Sequence, residues 1–129
     1  GSVRAPPPLI HFADVFSSWS PDGPTLAVAS PLDGDTDIYV KNADVSAVNR
    51  LNNDPVADLA PDWSHDGTRI VFDRDLGGTN LEIYVMNADG TGVIRLTNDP
   101  AGDFSPTWAP DGTKIAFNSD RSGTAKLYM

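Results

Sequence analysis

The chain has no cysteine among its 129 residues. Disulfides, thiolate metal centres and cysteine nucleophiles are thereby excluded, so stability has to come from packing. No run approaches the roughly 18 consecutive apolar residues that a membrane-spanning helix needs. The start, Gly1 to Pro8, has no apolar core of the kind a signal peptide carries, which by itself says nothing for or against the cytoplasm. Positive charge is scarce: nine Lys and Arg stand against 18 Asp and Glu, a net charge of −9. A field of that sign repels phosphate backbones and anionic lipid, which argues against nucleic acid as a partner and against membrane insertion. Only two histidines occur, His11 and His65, at positions that do not correspond to one another, so a His-ligated metal centre has little support. There is no Gly-x-Ser-x-Gly elbow, no Ser-x-x-Lys and no phosphate loop. A serine without a base partner has no mechanism, so the chain is expected to be non-enzymatic.

What is present is repetition. Residues 18–30 (SWSPDGPTLAVAS), 62–74 (DWSHDGTRIVFDR) and 107–119 (TWAPDGTKIAFNS) are variants of one phrase, and Trp19, Trp63 and Trp108 set its period at 44 and then 45 residues. A period in this range marks an architecture in which one supersecondary unit stacks on its copies. The eleven glycines and eleven prolines follow the same spacing and read as turn punctuation.

The second copy is the most complete. A short strand around Asp62–Ser64 ends at the Asp66-Gly67 turn. Thr68–Asp73 then alternates, with Ile70 and Phe72 on one face and Arg69 and Val71 on the other, the period of a strand. Leu81–Met86 is a third strand, Asp89-Gly90 a second tight turn, and Val93–Thr97 a fourth strand. Copy one departs at Val45, where a β-branched residue stands in place of the turn glycine. Copy three stops after its third strand. A four-stranded antiparallel meander of about 44 residues is the unit of a β-propeller blade. The fold class is therefore all-β, a β-propeller with three blades per chain: blade 1 over residues 13–56, blade 2 over 57–101 and blade 3 over 102–129, the last lacking its fourth strand. Leu26, Val28, Ile38, Val40, Ile70, Phe72, Ile83, Val85, Ile115 and Phe117 are the expected core, and the three tryptophans are expected as packing wedges between blades.

The phrases Trp-Ser-Pro-Asp-Gly, Ile-x-Phe, Ile-Tyr-Val-Met-Asn-Ala-Asp-Gly and Arg-Leu-Thr-Asn together resemble the Pro-Asp repeat of TolB-like β-propellers, over residues 14–129. The resemblance implies a propeller, commonly of six or seven blades and often periplasmic or extracytoplasmic. Such blades serve in Tol-system components, in propeller domains of serine peptidases and in sugar-acid lyases. The function implied is a binding scaffold for protein or peptide partners; the alternatives are an assembly module with no ligand of its own and the non-catalytic propeller domain of a hydrolase.

Closed propellers have about four to eight blades, so three cannot close a ring. Two chains would give a six-bladed, two-fold ring, and a homodimer is expected on that ground. The N-terminal segment, residues 1–12, falls where a preceding fourth strand would lie and could be donated to blade 3 of the second chain, although Pro6-Pro7-Pro8 removes three ladder donors. One carboxylate set stands in register: Asp14, Asp58 and Asp103 each lie five residues before a Trp, just upstream of the first strand. Two readings are open. Pointing into the channel mouth, they would suit a hard cation such as Ca²⁺; alternatively, each caps its own loop through backbone N–H groups. Asp22, Asp66 and Asp111 read as turn formers. Asp54-Pro55 and Asp99-Pro100 belong to blade-to-blade loops that form a plausible docking rim.

Overall fold

The computed structural model describes residues 15–21, 23, 25–30, 36–42, 48–51, 56–77, 80–98, 102–119 and 126–128. Asp14, the 1–12 segment, Asp22, Val45 and both Asp-Pro pairs lie outside the described residues. All regular structure among the described residues is strand, and none of it is a helix able to cross a membrane. The first sheet runs β1 (Val15–Trp19), β2 (Thr25–Ser30), β3 (Asp37–Asn42) and β4 (Val48–Arg50). The second runs β5 (Asp58–Trp63), β6 (Arg69–Asp75), β7 (Leu81–Asn87) and β8 (Ile94–Arg95). The third has β9 (Asp103–Trp108), β10 (Ile115–Ser119) and β11 (Lys126–Tyr128). Each sheet is an antiparallel meander with strands in chain order.

The turn chemistry is as the sequence dictates. Asp66 Oδ1 accepts from Ser64 Oγ (2.6 Å), Thr68 N (3.0 Å) and Thr68 Oγ1 (2.7 Å), while Gly67 takes φ +74°. Asp111 accepts the same two bonds from Thr113, and Asp89 from Thr91. These hydrogen bonds stabilise the ionised carboxylate and hold all three aspartates below the usual carboxylate range, Asp66 at about 2. The side chains are solvated, so the shift marks local turn order and not a buried site.

Two apolar layers join the sheets. Between the first and second, Ala27, Ala29 and Ile38 meet Trp63, Ile70, Phe72, Tyr84 and Met86. Between the second and third, Val71, Ile83 and Val85 meet Trp108, with Ile115 and Phe117 packed alongside. The alternation of β6 thus sends Ile70 and Phe72 to one neighbour and Val71 to the other, because a sheet sandwiched between sheets must be apolar on both faces. Trp63 and Trp108 are the expected wedges, each seated on the preceding sheet. Of the expected core, Val40, Ile115 and Phe117 are only partly buried.

Three features differ from expectation. The first strands begin earlier: Asp58 and Asp103 are the first residues of β5 and β9 and do not lie upstream of them. A bulge hides this in the sequence, since pairing shifts between Leu59 and Asp62 and between Ala116 and Asn118. Second, the fourth strand of the second sheet spans only Ile94–Arg95. Third, Trp19, expected as a wedge like Trp63 and Trp108, is half exposed.

Candidate functional site at the inner rim

Strands β1, β5 and β9 lie side by side where the three sheets converge. In each Trp-Ser/Ala turn the ladder closes through the residue after Trp: Ser20 N to Thr25 O, Ser64 N to Arg69 O and Ala109 N to Lys114 O. Antiparallel alternation then aims the Trp N–H away from its own sheet. Trp63 N donates to Ser18 Oγ at 3.4 Å, and Trp108 N donates to Asp62 Oδ2 at 2.8 Å. The residue before each Trp therefore receives the backbone of the next Trp. The acceptors are themselves linked: Ser18 Oγ donates to Asp62 Oδ1 (3.3 Å), and Thr107 Oγ1 donates to Asp62 Oδ2 (3.1 Å). Ser18, Asp62 and Thr107 make one continuous polar row across the three inner strands. Arg69 adds a cation–π contact 4.7 Å from the Trp108 ring.

Beside this row each bulge carries a non-glycine residue in the left-handed region, Ala60 and Ser105, both at φ 52°. Such a conformation costs about 1–2 kcal/mol per residue and needs support. At Ser105 the support is Asp73, whose Oδ2 accepts the Ser105 N–H at 2.9 Å. Asp73 is buried and its Oδ1 has no hydrogen-bond partner. Burial is the main cause that lifts its carboxyl to about 6, with the Asp58 and Asp75 charges adding to it and the Ser105 bond opposing it.

Of the three carboxylates singled out by spacing, Asp14 lies outside the described residues. Asp58 and Asp103 are both fully buried, opposite Arg74 and Ser119 in the ladder. Arg74 grips Asp58 with Nε to Oδ1 at 2.7 Å and Nη2 to Oδ2 at 3.2 Å, a fork that uses both carboxylate oxygens. The guanidinium also stacks 4.5 Å from the Tyr84 ring and 5.5 Å from Phe72. The position of Asp58 is thus that of a sheet-anchoring ion pair. Among the described residues no group of three His, Cys, Asp or Glu side chains is placed to share a metal ion. His65 sits exposed in its turn.

A second acid–arginine pair recurs between strands three and four. Arg50 holds buried Asp37, and Arg95 Nη2 lies 3.5 Å from buried Glu82, whose Oε2 also accepts from Thr97 Oγ1 at 2.5 Å. That is the work of the arginine in the Arg-Leu phrase: it ties the outer strand to an acid at the first or second position of strand three. The inner polar row was not singled out from the sequence, yet a signal existed, since Ser18, Asp62 and Thr107 are short hydrogen-bonding residues at repeat spacing. Asp73 had no such signal, because its counterparts are Ala29 and Asn118.

The TolB beta propeller domain matches residues 78–129. A TolB from Acinetobacter baumannii superposes with TM-score 0.78 at 29% identity over 89% of this chain. A protein designated TolB from Agrobacterium tumefaciens superposes with TM-score 0.75 at 32% identity over 82% of the chain. The blades are TolB-like. This chain spans 29% and 38% of those two TolB chains respectively, well under half of either. The tricorn protease, at 15% identity and TM-score 0.66 over 89% of this chain, is similar in fold alone.

Proposed function

We propose that this chain is a non-enzymatic TolB-like scaffold that binds protein or peptide partners and works outside the cytoplasm, completing its ring by association of partial propellers. Three sheets as three blades, six in a homodimer, is the arrangement this reading requires. The supporting observation is a set of residues whose repeat equivalents are covered while they themselves are exposed. Trp63 and Trp108 are 8% and 6% exposed, but Trp19 is 50% exposed. Leu51 packs against the apolar layer between the first two sheets, but its equivalent Leu96 is 46% exposed, beside exposed Val93 and Ile94. The sequence has thus placed apolar side chains where a further protein surface would cover them. Three of the buried acids, by contrast, are engaged by arginine: Asp58 by Arg74, Asp37 by Arg50 and Glu82 by Arg95, with Thr97 also bonding Glu82. Exposed Ile94 on β8, the last strand of its sheet, with exposed Val93 and Leu96 flanking that strand, suits strand-addition binding of an extended peptide.

Light scattering over a concentration series tests the assembly. Self-association gives a particle of twice 13.7 kDa, and a mass that stays at one chain at every concentration refutes it.

A further inference from the structure

Asp-Gly-Thr occurs three times among the described residues, at 66–68, 89–91 and 111–113. Asp-Gly is a pair at which a polypeptide rearranges without an enzyme. The glycine nitrogen attacks the aspartate Cγ and gives up its proton, a carboxyl oxygen leaves as water, and a succinimide ring forms. Water then adds back across one of the two ring C–N bonds. One opening restores aspartate; the other gives isoaspartate, in which the main chain runs through the former side chain. Glycine permits the attack because it has no side chain to obstruct it. All three aspartates are exposed, so the access of water does not distinguish them. In each turn the glycine N–H is committed at 2.9 Å to the carbonyl three residues back, that of Ser64, Asn87 or Ala109. In each, the threonine N–H and hydroxyl hold the carboxylate. Attack therefore requires the turn to open first.

What differs is the bracing around each turn. Ser64 Oγ donates to Asp66 Oδ1 at 2.6 Å and accepts the Arg69 N–H at 3.0 Å, so one hydroxyl ties the carboxylate to the strand that follows. The Ser64 bond is also the main cause that holds the Asp66 carboxyl down at about 2, and an ionised carboxylate does not release water. Pro21 of the first sheet's turn stands 3.9 Å from a Cβ built on Gly67. The Asp89 turn is braced by Ala88 N donating to Thr68 O at 2.9 Å, by Asn87 Nδ2 donating to Thr91 Oγ1 at 3.2 Å, and by the Leu51 backbone lying against Gly90. At the third turn Ala109 stands where Ser64 stands and has no hydroxyl to offer. His65 stands where Pro21 stands, and nothing comes within 4 Å of a Cβ built on Gly112. We infer that Asp111-Gly112 is a spontaneous modification site of the folded chain, which converts to isoaspartate ahead of the other two Asp-Gly-Thr turns. The product lengthens the main chain between β9 and β10 and moves the carboxylate off the position that Thr113 bonds. The inference is independent of ring completion, because it concerns the turns within the sheets.

Trypsin places each turn in its own peptide, residues 51–69, 75–95 and 96–114. The whole chain is aged in mildly acidic buffer at physiological temperature, folded in one arm and in guanidinium chloride in the other. The peptides are then separated, and electron-transfer fragmentation distinguishes isoaspartate from aspartate of equal mass. In the folded arm isoaspartate should accumulate in 96–114 about tenfold faster than in 51–69, the effect on turn opening of one hydrogen bond to a charged group. It should also outpace 75–95. In denaturant the three rates should converge, because the local sequence is the same. Equal rates in the folded arm, or the same ranking kept in denaturant, overturn the inference. Ala109→Ser, which restores the hydroxyl found at Ser64, should slow 96–114 towards the rate of 51–69, and Ser64→Ala should speed 51–69 towards that of 96–114. An Ala109→Ser protein that ages at the parent's rate overturns the assigned cause.

Discussion

Asp62 Oδ2 accepts the Trp108 N–H at 2.8 Å and the Thr107 hydroxyl at 3.1 Å, while Asp62 Oδ1 accepts from Ser18. One side chain in the middle sheet therefore touches both neighbours. The apolar layers supply non-directional attraction between sheets, and this carboxylate fixes how far one inner strand slides past the next.

Replacing Asp62 with Ala leaves the Trp108 N–H and two hydroxyls without their acceptor at a partly buried seam. The expected cost is about 1–3 kcal/mol, read as a lower urea midpoint with little change in slope. Asp62→Asn keeps one carbonyl oxygen in the row and should retain part of the loss. A midpoint for Asp62→Ala equal to the parent's would show that the row contributes no stability.

The repeat, the strand alternation, the Asp-Gly turns and most of the core are written in the sequence because they depend on local pattern: period-2 apolarity in residues 69–73, and a Ser or Thr placed to bond Asp66, Asp89 and Asp111. What lies in non-local geometry is harder to see. Ala60-Pro61 looks like a strand stop, and only the left-handed φ at Ala60 shows how pairing resumes at Leu59 and Asp58. Both readings of Asp58, at the channel mouth or capping its own loop, followed from placing it before the strand. Once it opens the strand, its ladder partner is Arg74, and its neighbourhood changes from solvent to guanidinium. The special role of Asp73 depends on what the adjacent sheet presents, the Ser105 N–H, which no spacing rule within one repeat reveals.

Asp73 makes stability depend on pH in a defined window. Its folded-state carboxyl titrates near 6 against an ordinary value of 3.8, so the folded chain binds this proton more tightly than the unfolded one. The resulting stabilisation is complete below 3.8 and is lost as pH rises through about 6. The shift corresponds to about 3 kcal/mol at most. Asp73→Asn, which installs the residue found at the equivalent position 118, should raise stability at pH 7 and lose that advantage near pH 4. Parallel stability curves for parent and variant between pH 4 and 7 would rule this out.

Arg74 neutralises a fully buried carboxylate and stacks on Tyr84 and Phe72. Arg74→Met keeps most of the stacked volume but strands the Asp58 charge, with an expected loss of about 3–5 kcal/mol. Adding Asp58→Asn should recover much of it, because the stranded charge is then gone. Arg74→Lys should not substitute well, since an ammonium cannot reproduce the two-oxygen fork. Strict additivity of the two single substitutions in a double-mutant cycle would refute the pairing.

Gly90 shows how closely neighbouring sheets approach at the outer rim. It adopts φ +88°, and a Cβ placed on it would lie 2.3 Å from the carbonyl oxygen of Leu51. Backbone cannot yield as a flexible side chain does, so Gly90→Ala combines left-handed strain with a clash against the first sheet. Gly23 has nearly the same φ, +90°, but nothing within 4 Å of its would-be Cβ. Gly23→Ala should therefore cost only the conformational penalty of about 1–2 kcal/mol, and Gly90→Ala should cost clearly more, by roughly a further 1–3 kcal/mol of forced displacement. Thermal melts of the two variants measured side by side separate the terms, because conformation is common to both and the difference reports the contact with Leu51. Equal melting temperatures would mean that the second sheet's turn can draw back from Leu51 without loss, and that the outer rim is not part of what holds the sheets in register.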